Sequence, residues 1–155
     1  MNFLLSSLFL LNGFLWAQTS TIKVMTLRLS PGQDVKKELE RFISEKSISA
    51  ASILSAVGSL TDSQIRYANK KDSTKLNGPL EVVSLSGTAG IAGSHFHIAV
   101  SDGDGKTLGG HLMDGNLVYT TLEIVIGVYP ELDFKRSLDP KSGYKELDVQ
   151  NRKIN

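Results

Sequence analysis

The chain has 155 residues, of which 17 are basic and 16 acidic, and its formal net charge is +1. This length suits one domain that can bury a sizeable core, and the balanced charge offers little attraction for nucleic acid or anionic lipid. The sequence contains no cysteine, which excludes disulfides, thiolate metal sites and cysteine nucleophiles. It also lacks the glycine-rich phosphate-binding and nucleophile-elbow motifs.

The first 17 residues differ in composition from the rest of the chain. They carry no charged side chain, and an apolar run over Phe3–Leu11 is broken at Asn12-Gly13 and followed by the small residue Ala17. This pattern predicts a signal peptide over residues 1–17, cleaved after Ala17. Residues 18–155 would then be an exported domain, periplasmic or secreted, without a membrane segment. Because no Lys or Arg precedes the apolar run, the alternative is an amphipathic or buried N-terminal helix.

The first predicted elements of the domain are a strand and a helix. Residues Ile22–Leu29 are rich in β-formers and predict a strand, which Ser30-Pro31-Gly32 ends. Asp34 is predicted to cap a helix that ends near Ser47. The apolar residues of this helix recur on one face: Val35, Leu39, Phe42 and Ile43.

The remaining predicted elements are strands, separated by a polar loop at Lys70–Gly78 and by Asp-Gly turns after residues 101 and 113. Residues 130–155 are predicted to be a polar tail with a turn at 139–143. The pattern predicts the α+β class: a single domain with a mostly antiparallel sheet and one main amphipathic helix. The predicted strands are Ala51–Val57, Gln64–Ala68, Leu80–Leu85, His95–Val100, Thr107–Met113 and the central strand Leu117–Tyr129.

All three histidines of the chain, His95, His97 and His111, lie within a stretch of 17 residues. His95 and His97 share one face of their predicted strand because strand side chains alternate. A three-residue loop at residues 103–105 would place His111 opposite His97, with Cβ atoms about 5 Å apart, whereas a four-residue loop would turn His111 to the other face. Three neutral imidazoles with an open fourth position suit a divalent metal, Zn²⁺ above all. The alternative is three histidines that merely pack.

Two charged residues are further candidates for a site. Glu123 lies between Leu122 and Ile124 in the most apolar predicted strand, where a buried carboxylate would need a partner. It is a candidate general base or a hydrogen-bond acceptor for a histidine, or else a structural ion-pair partner or an outward-facing residue. Arg66 could bind a small anionic ligand, or pair inside the fold with Glu81 or Glu123.

Several short motifs together resemble one known family, the PPC domain (plants and prokaryotes conserved domain), over roughly Ile22 to Val149. The motifs are Gly58-Ser59-Leu60, Arg66, the run from Gly78 to Thr88, His95-Phe96-His97, Gly109-Gly110-His111-Leu112 and Thr120-Thr121-Leu122-Glu123.

The resemblance implies an α+β domain that assembles as a homotrimer. In stand-alone prokaryotic members it implies a metal site at His95, His97 and His111. In plant members the domain accompanies AT-hook motifs in DNA-binding proteins. This chain has no Arg-Gly-Arg-Pro hook, so we expect a metal-binding protein, and a metal-dependent enzyme is one form it could take. DNA binding and a structural trimer without metal are the alternative functions.

Overall fold

The computed structural model describes residues 17–153. The predicted signal peptide therefore lies, except for Ala17, outside the described residues. The described part contains one helix and eight strands: β1 Lys23–Leu29, α1 Val35–Glu45, β2 Ala51–Arg66, β3 Thr74–Gly90, β4 Gly93–Ser101, β5 Thr107–Leu112, β6 Leu117–Val128, β7 Leu132–Leu138 and β8 Lys145–Asn151.

Six strands form one antiparallel sheet in the order β1-β6-β2-β3-β4-β5. The end of β2 also pairs with β5, through Ile65 opposite Leu112 and Arg66 opposite His111. Strands β2, β3, β4 and β5 therefore form a closed ring, and β6 and β1 extend the sheet from β2. This architecture confirms the predicted α+β class, a mostly antiparallel single domain with one main helix.

Helix α1 covers one face of the sheet, as its amphipathic pattern predicts. Asp34 caps it by accepting hydrogen bonds from the backbone N–H groups of Lys36 and Lys37, at 3.1 and 3.3 Å, which satisfies donors that have no partner within the helix. Its buried residues join the main core of the sheet: Val35, Leu39 and Ile43.

Two predicted breaks in the chain are wrong. The predicted strands Ala51–Val57 and Gln64–Ala68 belong to one continuous strand, β2, which passes through Gly58 without turning. The predicted loop at Lys70–Gly78 is shorter than expected, because β3 already begins at Thr74.

The tail, for which the sequence predicts only a polar segment with one turn, contains a hairpin. Strands β7 and β8 pair with each other around a turn at residues 139–144, which includes the predicted turn. Leu132 and Phe134 on β7 form a small second core with Ala50. This hairpin therefore packs against the main domain instead of extending away from it. Within residues 17–153, no helix is long and apolar enough to span a membrane.

Candidate metal centre

The β4–β5 hairpin brings the three histidines to one face of the sheet. The N–H of Asp102 donates to the carbonyl of Lys106 at 3.1 Å, which closes the turn over residues 103–105. His97 consequently lies directly opposite His111. His95 and His97 are exposed and alternate with the buried Phe96 and Ile98. Of the two registers considered from the sequence, the structure has the one that brings His111 to the face of His95 and His97.

The ring nitrogens of the three histidines converge. Nε2 of His95 lies 3.1 Å from Nδ1 of His111, and Nε2 of His97 lies 3.3 Å from the same atom. All three candidate ligand atoms lie within 4.8 Å of one another. The ring of His97 is nearly perpendicular to the other two, at 87° to His95 and 86° to His111, whereas the rings of His95 and His111 are stacked at 14° to each other.

The two separations at Nδ1 of His111 fit a tetrahedral ion. Ligand nitrogens about 2.0–2.1 Å from a zinc ion at tetrahedral angles are about 3.3 Å apart, close to the separations of 3.1 and 3.3 Å in the structure. His111 would contribute Nδ1, and His95 and His97 would contribute Nε2. Three protein nitrogens leave the fourth position open, which is the pattern of catalytic rather than structural zinc sites.

The surroundings favour the neutral imidazoles that a metal requires. Burial is the largest cause that lowers the pKa of His95, followed by repulsion from His97 and Arg136. Burial also lowers the pKa of His111, with Arg66 as the next cause. Two of the three candidate ligands therefore favour, at neutral pH, the uncharged form that could bind a metal.

Arg66 is close to the histidines, at the end of β2 opposite His111. Its Nη1 donates to the carbonyl of Lys70 at 3.3 Å. Within residues 17–153 it forms no salt bridge, so the pairing with Glu81 or Glu123 considered from the sequence is not found there.

Glu123 is distant from the three histidines of its own chain. It is exposed on β6, opposite Arg28 of β1 and Val57 of β2. Val57 is nine residues from Arg66, or about 30 Å of strand at 3.3 Å per residue. Glu123 is therefore not the buried carboxylate considered from the sequence. It is the outward-facing residue that was the alternative.

Sequence reasoning missed three side chains beside the histidines. Ser86 lies opposite His97, and Thr88 lies opposite His95, across β3 and β4. Nη2 of Arg136, on β7, donates to the Thr88 hydroxyl at 2.8 Å. The two hydroxyls could be found by extending the register to β3, whereas no local pattern in the tail indicates Arg136.

Comparison with known proteins identifies the family. The Plants and Prokaryotes Conserved (PCC) domain, the family abbreviated PPC above, matches residues 17–130. The chain belongs to this family, as its motifs predict.

Two solved structures share the fold over nearly their whole length. A hypothetical protein from Salmonella cholerae-suis is 47% identical, with a TM-score of 0.86 over 87% of this chain and 98% of that chain. A metal-containing protein from Archaeoglobus fulgidus is 28% identical, with a TM-score of 0.72 over 86% of this chain and 99% of that chain.

A curated relative contains a similar segment within a longer protein. The Bifunctional protein GlmU of Synechococcus sp. (strain JA-3-3Ab) is 46% identical over 132 residues, which is 85% of this chain. The chain spans about a fifth of the length of the curated relatives it matches, with 21% covered in each.

Proposed function

We propose that this protein is a small exported homotrimer that binds one divalent metal ion per chain, zinc above all, through His95, His97 and His111. The observation that carries the metal site is the convergence of three imidazole nitrogens at separations of 3.1 and 3.3 Å around Nδ1 of His111. The similar protein from Archaeoglobus fulgidus, described as metal-containing, supports the same proposal.

Metal analysis of purified protein tests this function directly. The protein is purified without chelator, dialysed against metal-free buffer and analysed by inductively coupled plasma mass spectrometry. We expect about one equivalent of a divalent ion per chain. Stripped protein should regain one equivalent of Zn²⁺ in a calorimetric titration, and failure to bind any divalent ion would contradict the proposal.

Three histidines with an open fourth position are also the ligand pattern of metal-dependent enzymes. A bound zinc ion with an open position polarises a ligand oxygen and lowers the pKa of bound water to about 7. The three histidines would hold such an ion, and Arg66 would attract a small anionic ligand beside it. Because Glu123 lies elsewhere in the same chain, its predicted role as general base is not included in the proposal. Nucleic-acid binding is also left out, because a net charge of +1 provides little overall attraction for a phosphate backbone.

Metal occupancy should fall as the pH falls. Protons compete with the ion for the imidazoles, and since the pKa values of His95 and His111 are lowered, release should begin only below the ordinary histidine value of about 6.5. A chromophoric chelator can follow the released zinc between pH 8 and 4.5. Constant occupancy over the whole range would contradict ligation by histidine.

The proposed trimer would bury an apolar patch on the outer face of the sheet. This outer patch consists of Ile22, Val24, Leu54 and Val57, which are 47–59% exposed. Val24 lies opposite Gly127, and a Cβ atom at Gly127 would contact both Ile22 and Leu54, so Ile22, Val24 and Leu54 are neighbours. Val57 follows Leu54 by three residues on β2. Contiguous exposed apolar surface is typical of protein interfaces.

Changing Val57 to aspartate should convert the trimer to monomer. A carboxylate at an apolar interface would lose its hydration, whereas the isolated chain would fold normally because Val57 is 59% exposed. Light scattering coupled to size exclusion measures the mass. The matched control is Ile91→Asp, because Ile91 is 65% exposed but lies in the β3–β4 turn, away from the outer patch. A wild-type protein that is monomeric at micromolar concentration would contradict the trimer.

Export predicts a processed N-terminus. Protein from the native host should begin at Gln18, because the small residue Ala17 suits signal-peptide cleavage. N-terminal sequencing measures this. Replacing Ala17 with arginine should block processing, whereas Gln18→Asn should not. A native protein that begins at Met1 would contradict cleavage.

A further inference from the structure

A second arginine borders the histidine cluster on the side away from Arg66. Arg136 is half-buried on β7, and its Nη2 donates to the Thr88 hydroxyl at 2.8 Å and to the Thr88 carbonyl at 3.3 Å. Thr88 lies directly opposite His95. Because paired residues in antiparallel strands point to the same face, the Arg136 guanidinium lies beside His95.

Both arginines flank one continuous row of polar side chains. In that row Arg66 lies opposite His111, His111 opposite His97 and His97 opposite Ser86. The next row toward the β3–β4 turn adds His95 and Thr88. The four strands of the closed ring thus present three imidazoles, two hydroxyls and the Arg66 guanidinium on one surface, and β7 adds the Arg136 guanidinium beside them.

A small cavity opens in this surface. It has a volume of about 150 Å³ and is lined by Ser86, Gly87, Thr88, His95 and His97. Pockets for larger small-molecule ligands measure about 300–1,000 Å³. The cavity therefore suits a ligand, or one group of a ligand, with only a few heavy atoms.

The charges around the cavity are mainly positive. Neither Arg66 nor Arg136 forms a salt bridge within the described residues. A guanidinium group has five N–H donors, and the hydrogen bonds to Lys70 and Thr88 engage only some of them. Among the charged groups named for their effect on the pKa of His95, Glu146 on β8 is the carboxylate, and its side chain is exposed. Two cations against one exposed carboxylate favour an anion in the cavity.

We propose that this cavity binds a small oxyanion, the carboxylate or phosphate group of a small-molecule ligand, and that Arg136 is its main anchor. The Ser86 and Thr88 hydroxyls donate hydrogen bonds to the anion, and Arg66 adds positive charge from the opposite side. This inference rests on the proposed function, because His95 and His97, which would hold the ion, also line the cavity. It assigns the β7–β8 hairpin a role in ligand recognition.

Cobalt-substituted protein tests the inference without any assumption about activity. The visible absorption of protein-bound Co²⁺ is titrated with acetate and with inorganic phosphate at constant ionic strength. Wild-type protein should show a saturable spectral change with at least one of them, and the two dissociation constants distinguish a carboxylate site from a phosphate site. Arg136→Gln should raise the dissociation constant about tenfold, the loss of one partly exposed charge-assisted hydrogen bond.

Lys135→Gln is the matched control, because it removes the same charge from the neighbouring exposed position on β7. It should leave the anion titration unchanged, and Arg136→Lys should restore part of the binding. Equal dissociation constants for Arg136→Gln and Lys135→Gln would overturn the inference. So would stoichiometric Co²⁺ binding without any response to either anion.

Two further measurements keep the outcomes separate. If no metal binds, the proposed function fails, and calorimetric titration of the metal-free protein with phosphate then tests the inference alone. Phosphate binding that depends on Arg136 supports the inference, and no binding overturns it.

If Arg136→Gln unfolds, Arg66→Gln is compared with Lys70→Gln. Lys70→Gln keeps the backbone carbonyl that accepts a hydrogen bond from Arg66, and it removes a charge without removing Arg66. The inference is supported only if Arg66→Gln raises the dissociation constant of the anion above that of Lys70→Gln.

Discussion

Replacing His97 with alanine should lower the zinc affinity of the protein by at least about 100-fold. His97 is the middle ligand of the three, opposite His111 and on the same face as His95. Without His97 only two histidine nitrogens remain to bind the ion. Even mutations of residues that merely hydrogen-bond to a metal ligand lower metal affinity about 10–100-fold. Because the side chain is exposed, the variant should remain folded. Competition with a chromophoric chelator measures the affinity, and circular dichroism checks the fold.

Glu123→Gln is the informative comparison for this experiment. Its side chain is exposed and lies opposite Arg28 and Val57, away from the histidines, so zinc affinity should stay within about threefold of wild type. The chain contains only three histidines, which means that no other imidazole can replace His97. A His97→Ala protein that binds zinc as tightly as wild type would show that the converging nitrogens are not the site.

Two local rules bring the three histidines together, and the sequence left the second of them open. Strand alternation places His95 and His97 on one face. The length of the Asp-Gly-Asp-Gly turn, with a three-residue loop in the structure, sets the register that places His111 opposite His97. Both rules act within the β4–β5 hairpin. Arg136 follows neither rule, because it reaches Thr88 only through the packing of the β7–β8 hairpin on β3.

The missed parts of the fold have a related cause. The predicted strand Ala51–Val57 stops just before Gly58, but β2 continues through this residue. Glycine at this position permits close contact with β6, since a Cβ atom there would lie 2.1 Å from the carbonyl oxygen of Thr121. Strands β7 and β8 carry little apolar periodicity, and only Leu132 and Phe134 are buried in them. Their position depends on tertiary packing, which a local pattern does not encode.

The same kind of close contact between strands supports the histidine cluster at Gly87. This residue lies opposite Phe96, between the pairs that Ser86 and Thr88 form with His97 and His95. Its φ is +143°, and a Cβ atom would lie 2.1 Å from the carbonyl oxygen of His95. A side chain at residue 87 can therefore be accommodated only if β3 and β4 move apart beside the histidine cluster.

Gly87→Ala should accordingly weaken both the fold and the metal site. The strained backbone and the contact with His95 should together lower the free energy of unfolding by about 3 kcal/mol or more, and movement of β4 should displace His95 and reduce zinc affinity.

The matched control is Gly103→Ala in the β4–β5 turn, where a Cβ atom meets nothing within 4 Å and the change in the free energy of unfolding should stay within about 0.5 kcal/mol. Urea unfolding of the metal-free proteins at one fixed protein concentration measures the difference. If Gly87→Ala is as stable as Gly103→Ala, the contact between β3 and β4 is not as tight as the structure places it. Zinc affinity would then be expected to remain at the wild-type value.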